Sequence, residues 1–463
     1  MNYDLVVIGS GPGGCAAALT AARRGLRVGL VEREQWGGVC LNVGCIPTKA
    51  LITVAQFVTR LQQAYQLGVT IHGYAVDAAA VVGRSRRIVE QLRRGLTDLL
   101  RREHVELIQG SASFDTPTRL VITPAEDPPV RIDSHRVVIA TGARPLTGPW
   151  TIDERQVMSY RGLMGMDRLP RSLLIIGGGV IGCEFACCLP PLGTQVTLVE
   201  QQPTLLPGED PEVVRWLMRA LESRGVNVRT GVAVESLSSG AEGVVAILRD
   251  GTELRAQQCL VAIGQRPNLD GLNVGAAGVT TERGVTVDDS LRTHQPSVAA
   301  IGDCLQGHGL AHWASAEGAV AVRNLLGDSP QTVPRDEIPR CIFTDPEIAH
   351  VGPLAHDRPE ARISRFSFGA LGKAHCDEHT EGFVKLLVDD SSERILGATI
   401  VGAQASSLIH LAVLAIRHRL TARQLAQTIT AHPTWPEGIT EVAAHLYGES
   451  LSVAARASAR SRA

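Results

Sequence analysis

Leu5-Val6-Val7-Ile8-Gly9-Ser10-Gly11-Pro12-Gly13-Gly14 stands near the front of the chain, runs on through the Ala-rich stretch Cys15 to Arg24, and leads to Val28-Gly29-Leu30-Val31-Glu32. A short apolar run bounded by glycines predicts a buried strand, the glycines a tight turn, the Ala-rich stretch a helix, and the second apolar run another strand. The same order recurs at Leu173-Leu174-Ile175-Ile176, Gly177-Gly178-Gly179-Val180-Ile181-Gly182, a helix from Cys183, and Val196-Thr197-Leu198-Val199-Glu200. In both copies an acid stands 18 residues beyond the last glycine.

With 47 glycines in the chain, one Gly-x-Gly-x-x-Gly spacing is weak evidence. Its placement between strand and helix, with an acid closing the next strand, is what a dinucleotide-binding unit requires. The first glycine (Gly9, Gly177) makes the turn, the second (Gly11, Gly179) admits a pyrophosphate, and the third (Gly14, Gly182) packs helix on strand. The helix N-terminus offers N–H groups to the phosphates, and Glu32 or Glu200 accepts from a ribose. Two turns that bind nothing would need both complete contexts to be coincidence. A carboxylate at Glu200, with no Arg or Lys in Gln201 to Leu206, repels a 2′-phosphate and favours NAD over NADP.

At 463 residues the chain has room for about three domains. Its net charge of −2 supplies no field for nucleic acid or an acidic membrane. Met1 to Asp4 lead straight into a strand without the parts of a secretory signal, so the mature chain is expected to begin near residue 1. The most membrane-like window, Leu173 to Leu192, contains Glu184, a glycine cluster and Pro190-Pro191, and reads as a buried strand and helix. Ten cysteines in this length are too sparse for a secreted disulfide scaffold, so most are expected to be reduced packing thiols of a cytoplasmic protein.

Gln56 to Arg102 reads as largely helical, and Arg136 to Ala140 as a strand running into Thr141-Gly142-Ala143. Val298 to Ile301 reads as another strand, followed by Gly302-Asp303. From about Pro334 the texture changes to strands (Phe383 to Val388, Ile395 to Val401) and helices (Leu408 to His418, Thr421 to Thr430), which predicts a separate α+β domain. Arg456 to Ala463 is expected to fray.

Cys40-Leu41-Asn42-Val43-Gly44-Cys45 is followed by Ile46-Pro47-Thr48-Lys49. Two thiols five positions apart at a helix start can close a small disulfide ring, and a helix N-terminus lowers thiol pKa. No second cysteine pair or nearby His completes four metal ligands, so no metal is expected. Taken alone, the pair reads equally well as two inert packed thiols.

The segment Gly37 to Lys49 resembles the redox signature of the flavoprotein disulfide reductases, within the pyridine nucleotide-disulfide oxidoreductase family, and among these most the dihydrolipoyl (dihydrolipoamide) dehydrogenases. The resemblance runs through the whole chain in the family's order: both fingerprints, Ala140-Thr141-Gly142, Gly264-Gln265-Arg266-Pro267-Asn268, Ala300-Ile301-Gly302-Asp303, and His432-Pro433-Thr434 with Glu437. It implies an α/β protein with two Rossmann-like domains, for FAD and NAD, plus a C-terminal α+β dimerisation domain. The implied boundaries are 1–147 and 270–333 for the FAD domain, 148–269 for the NAD domain and 334–463 for the interface.

The implied reaction oxidises protein-bound dihydrolipoamide with NAD, giving lipoamide and NADH. The resemblance makes Cys45 the charge-transfer thiol and Cys40 the interchange thiol, with Lys49 and Glu184 paired beside the flavin. His432 is the implied base, oriented by Glu437 and supplied by the other subunit of a homodimer; both chemistry and pKa range suit it. Gly9, Gly11, Gly14, Glu32, Gly38, Lys49, Thr141, Gly142, Asp303 and Ala311 would hold FAD; Gly177, Gly179, Gly182, Glu200 and Gly264 would hold NAD. The implied partner is a lipoylated carrier, a lipoyl domain or an H-protein-like protein, with no nucleic acid and no membrane insertion.

Three features depart from the family pattern. Trp435-Pro436 replaces smaller residues and is expected to bear on the substrate mouth or the tilt of Glu437. Pro190-Pro191 should kink or end the second fingerprint helix far from the pyrophosphate. Adjacent Cys187-Cys188 point about 100° apart on a helix and read as packing thiols. The competing readings are a glutathione-type or mercuric-type reductase and a cofactor-binding subunit without turnover.

Overall fold

The computed structural model describes residues 2–305 and 309–454, so the expected fraying of Arg456 to Ala463 lies outside it. The chain divides into two units. The first comprises Met1–Leu51, Ala78–Arg168 and Val261–Val333; the second comprises Ile52–Asp77, Leu169–Leu260 and Pro334–Ala463.

Parallel strands covered on both faces need near-continuous apolar runs. Four such runs and the partly exposed edge strand Glu106–Gln109 form the central sheet of the first unit, in the order Val298–Ala300, Val137–Ile139, Leu5–Ile8, Val28–Glu32 and Glu106–Gln109. Leu5 pairs with Val28, Val6 with Val137, and Val298 with Val137, all in parallel. The helix Pro12–Ala22 lies against the helix Ala311–Leu325, so tightly that a Cβ at Gly318 would stand 2.4 Å from the carbonyl oxygen of Gly13. Val7, Leu30, Ala17, Ala321 and Ile301 share the core between sheet and helices. A second sheet, Asn2–Tyr3, Val130–Ser134, Arg119–Thr123 and Ser111–Thr116, buries Phe114, Leu120 and Ile132 on the other side of the same strands.

The second unit repeats the plan. Gln258–Val261, Ser172–Ile176, Gln195–Glu200 and Asn227–Thr230 follow one another across a sheet, with Leu173 paired to Val196 and Leu198 to Val228. The membrane-like window is the buried strand and helix expected, and the helix Val180–Cys188 gives way to a single turn at Pro190–Leu192, where proline withholds its N–H. After Pro334 an antiparallel sheet runs Arg340–Ile342, Glu347–Val351, Ile395–Gly402, Gly382–Val388 and Arg362–Ser367. The helices Ala405–Arg417 and Glu437–His445 cover it around Phe366, Phe368, Ile400, Ile409 and Ile439.

Gln56 to Arg102 is largely helical as expected, with an interruption: Cys45–Gln62 ends, Ala64–Leu67 adds one turn, and regular structure resumes at Ala78–Arg102. Gly68, at φ +75°, breaks the run. The stretch Thr421 to Thr430 is helical only over Ala422–Ala426, because the β-branched Thr428-Ile429-Thr430 disfavours another turn. Among the described residues one stretch, Gly38–Gln62, is long and apolar enough to cross a membrane by length and composition. It is broken at Val43 and Gly44 into Gly38–Asn42 and Cys45–Gln62.

Candidate active site

The two glycine turns have the same division of labour. Gly9 and Gly177 take φ +105° and +111°, closed to residues with a Cβ. A Cβ on Gly14 would lie 1.8 Å from the Gly9 oxygen, and one on Gly182 2.0 Å from the Gly177 oxygen. A Cβ on Gly11 or Gly179 would meet no protein atom within 4 Å. The middle glycine therefore faces open space in both turns, which is the room a pyrophosphate needs. The equivalence extends to the next residue: the Cys15 thiol donates to the Ser10 carbonyl at 3.0 Å and Cys183 to that of Gly178 at 3.3 Å. Burial pushes the Cys15 thiol up to about 12, so it stays protonated and inert.

Each predicted ribose acid sits at the end of its strand. Glu32 accepts from the Ser10 N–H at 3.0 Å and the Ser10 hydroxyl at 2.7 Å. Glu200, which is buried, accepts from the N–H groups of Gly178 at 2.6 Å and Gln202 at 2.7 Å. Beside Glu200 opens a cavity of about 500 Å³ whose lining includes Gln201, Gln202 and Arg249. The linear reading found no cation after Glu200; the hairpin Gly243–Leu248 to Glu253–Ala256 delivers Arg249 to that place, together with Asp250.

Gly38, at φ +63°, packs against the first turn, so that a Cβ on it would stand 2.8 Å from the Gly11 Cα. The Gly37 N–H donates to the Ser10 hydroxyl at 3.0 Å. These contacts seat the redox segment on the first cradle. Cys40 lies in the short helix Gly38–Asn42 and Cys45 begins the helix Cys45–Gln62; both thiols are half-buried. They hydrogen-bond to each other, and the Cys40 pKa is raised, first by that bond, then by burial and the charge of Cys45, against a lowering by Lys49. The expected lowering by a helix start does not hold for Cys40, because a dithiol releases its second proton against the first charge.

The remaining predicted cofactor residues of the first unit cluster along its sheet edge. The Thr141 hydroxyl is buried without a hydrogen-bond partner, and a Cβ on Gly142 would meet no atom within 4 Å. The Gly264 carbonyl accepts from the Leu146 N–H at 3.0 Å, and Asn268 donates to the carbonyls of Gly142 and Thr141. Asp303 accepts from the Gly309 N–H at 2.9 Å, and Ala311 opens the helix Ala311–Leu325. Glu317, an acid the sequence reading passed over, is buried in that helix and accepts from the Gly302 N–H at 2.6 Å, fixing the backbone beside Asp303. An orphaned hydroxyl and a glycine facing open space fit a cofactor along this edge. Lys49 is half-buried and belongs to the first unit. Glu184, in the second, is buried and accepts from the Phe343 N–H at 2.9 Å.

In the loop before the helix Glu437–His445, His432 Nδ1 meets Glu437 Oε2 at 2.7 Å, and Glu437 Oε1 accepts from the Thr434 N–H. A carboxylate can only accept, so Nδ1 carries the proton and Nε2 is left as the base. The His432 side chain is 77% exposed, open to a partner. His350 is the opposite case: buried between Thr399 and the Gly352 carbonyl, it is pushed down to about 4 by that burial and stays neutral. Trp435 is 5% exposed and packs edge-on against Phe368. Cys187 and Cys188 are buried as expected, whereas Cys376 is exposed and is no packing thiol.

Comparison with known proteins accounts for nearly the whole chain. Residues 3–318 match the family described as pyridine nucleotide-disulphide oxidoreductase, and residues 338–443 match its dimerisation domain. The dihydrolipoyl dehydrogenase of Chlorobaculum tepidum is 37% identical over 452 residues, covering 96% of each chain. That of Bacillus subtilis is 34% identical over 448 residues, 94% of this chain and 97% of the other. The crystal structure of LpdA from Mycobacterium tuberculosis superimposes with a TM-score of 0.90 at 29% identity, over 96% of this chain and 99% of that one.

Proposed function

The chain belongs to the pyridine nucleotide-disulphide oxidoreductases, and from that premise we propose that it is a dihydrolipoyl dehydrogenase, oxidising dihydrolipoamide with NAD to lipoamide, NADH and a proton. The observation that carries the reading is the seating of Gly38 on Gly11, which attaches a hydrogen-bonded dithiol directly to a dinucleotide cradle.

The chain's residues divide the work. Gly9, Gly11, Gly14, Glu32, Gly38, Lys49, Thr141, Gly142, Asp303 and Ala311 hold FAD; Gly177, Gly179, Gly182, Glu200 and Gly264 hold NAD. FAD, when bound, supplies two-electron exchange between thiols and a nicotinamide ring. In the oxidised enzyme Cys40 and Cys45 form the disulfide. His432 Nε2 takes the proton of a dihydrolipoamide thiol, whose sulfur attacks Cys40 and displaces Cys45 as thiolate. The second lipoyl sulfur then displaces Cys40, so lipoamide leaves oxidised and the enzyme holds both electrons in its dithiol. Glu437 fixes the imidazole tautomer and stabilises its cation. Lys49 steadies the reduced flavin, and Glu184 serves the nicotinamide side from the second fingerprint helix. The enzyme works as a homodimer in which each protomer's His432 serves the partner's dithiol, and the substrate arm belongs to a lipoylated carrier protein of the cytoplasm. Sparse cysteines, six of the ten buried, support that compartment.

The test is turnover of the purified protein with NADH and lipoamide, NADPH and glutathione, and NADPH and mercuric ion. A yellow protein for which lipoamide is the fastest substrate is expected. A colourless one, or glutathione turnover exceeding lipoamide turnover, overturns the proposal.

A further inference from the structure

Ten residues separate the helices Ala422–Ala426 and Glu437–His445, and the base His432 lies among them. A loop without regular hydrogen bonding holds a side chain in place only through its own anchors. An imidazole as exposed as that of His432 gains little from packing, so its direction depends on Glu437. The Glu437 rotamer depends in turn on the Thr434 N–H that its Oε1 accepts.

Trp435 stands between those two residues. Its ring is buried edge-on against Phe368, with centroids 5.2 Å apart and planes at 76°. Its Nε1–H donates to Asp377 Oδ2 at 3.1 Å, and the Lys373 ammonium donates to Asp377 Oδ1 at 2.8 Å. The Lys373 bond, ahead of the Trp435 bond, holds the Asp377 carboxyl below the usual carboxylate range, so the acceptor remains charged. A hydrogen bond to a charged acceptor is stronger and more directional than a neutral one. The indole is thus fixed at both ends, by an aromatic face within the core and by an ion-paired carboxylate at its polar tip. Because Trp435 follows Thr434 directly, fixing the indole fixes the peptide that presents the Thr434 N–H.

We propose that Lys373, Asp377 and Trp435 form a positioning relay that holds the Thr434 N–H against Glu437 and so presets the His432 imidazole for thiol exchange. The relay rests on the dihydrolipoyl dehydrogenase reading. Trp435, a departure from the family pattern in the sequence, is therefore a device for aiming the base, and Lys373 and Asp377 are positioning residues some sixty positions upstream.

The test uses the FAD-loaded enzyme with Trp435→Phe, which keeps an aromatic ring and removes the N–H, Asp377→Ala, Asp377→Asn, and Trp435→Phe combined with Asp377→Ala. Three reactions are followed with NADH: lipoamide reduction, reduction of a small aromatic disulfide, and reduction of ferricyanide, which takes electrons without thiol exchange. Trp435→Phe and Asp377→Ala are each expected to lower kcat for both disulfides roughly ten-fold, with KM within about two-fold and ferricyanide turnover unchanged. The double variant should lose no more than the worse single one, since both break one link. Asp377→Asn, which still offers an acceptor oxygen, should recover most of the loss. Full disulfide turnover in Trp435→Phe, equal losses with ferricyanide, or multiplying losses in the double variant overturn the relay. If the unmodified enzyme reduces the aromatic disulfide but not lipoamide, the activity reading falls and the same variants still decide the relay on that disulfide.

Discussion

At Gly9–Gly14 and at Gly177–Gly182 one backbone appears twice: a left-handed first glycine, an open second, and a third pressed on the carbonyl of the first. Beyond that cradle the copies diverge. In the first, Glu32 is held by Ser10, whose hydroxyl also accepts from Gly37, so the acid, the turn and the redox segment form one connected set. In the second, Glu200 is buried and held by two backbone N–H groups, and the helix ends after nine residues at the proline pair. The glycine rule sets the cradle locally; the attached segment decides its use. One cradle is joined to a dithiol; the strand leaving the other runs into a cavity lined by Gln201, Gln202 and Arg249.

The strongest way to break the comparison is to put the same methyl group on the third glycine of each copy. Gly14→Ala and Gly182→Ala both drive a Cβ into a backbone carbonyl, and a carbonyl in a βα turn has nowhere to go. Gly14→Ala is expected to be isolated without flavin. Gly182→Ala should keep its flavin, read as the flavin-to-protein absorbance ratio, while kcat/KM for NADH falls by about a hundred-fold or more. Loss of flavin from Gly182→Ala would show that the copies are not independent.

A smaller effect is expected at the middle glycines. Gly11→Ala and Gly179→Ala place the methyl where no protein atom stands within 4 Å, so thermal unfolding should change by no more than about 1 kcal/mol. Ligand affinity should still fall roughly ten-fold, for flavin in the first and for NADH in the second, as measured by titration. Unchanged affinity would remove the pyrophosphate from that space.

The smallest expected effect concerns the acids. Glu200→Gln removes the charge that repels a 2′-phosphate while Arg249 remains in the cavity lining, so the NADPH-to-NADH ratio of kcat/KM should rise about five-fold. Glu32→Gln should leave that ratio unchanged. An equal shift from both variants would contradict the assignment of the second copy to the nicotinamide nucleotide.

What could be read from the sequence and what could not follow from distance along the chain. The fingerprints, their acids, the Cys40–Cys45 pair and the His432–Glu437 pair are each defined within one or two adjoining elements, where spacing alone fixes what meets. Arg249 escaped because it enters the cavity at Gln201 and Gln202 from a hairpin some fifty residues later, and Glu317 because an acid in an apolar helix looks solvent-facing until the Gly302 N–H is placed against it. The break after Gln62 was missed because the helical composition on both sides hides an irregular segment.

By itself, then, the sequence determined the two cradles, the cysteine pair and the α+β character of the C-terminal region, since glycine sterics, strand periodicity and thiol spacing act over a few residues. Only the tertiary structure decided that Trp435 turns into the core to meet Asp377 and Phe368, and that Gly38 rests on Gly11. Those contacts join segments whose proximity depends on how whole layers pack. Close packing fixes them to within an ångström, a precision that no local pattern of residues encodes.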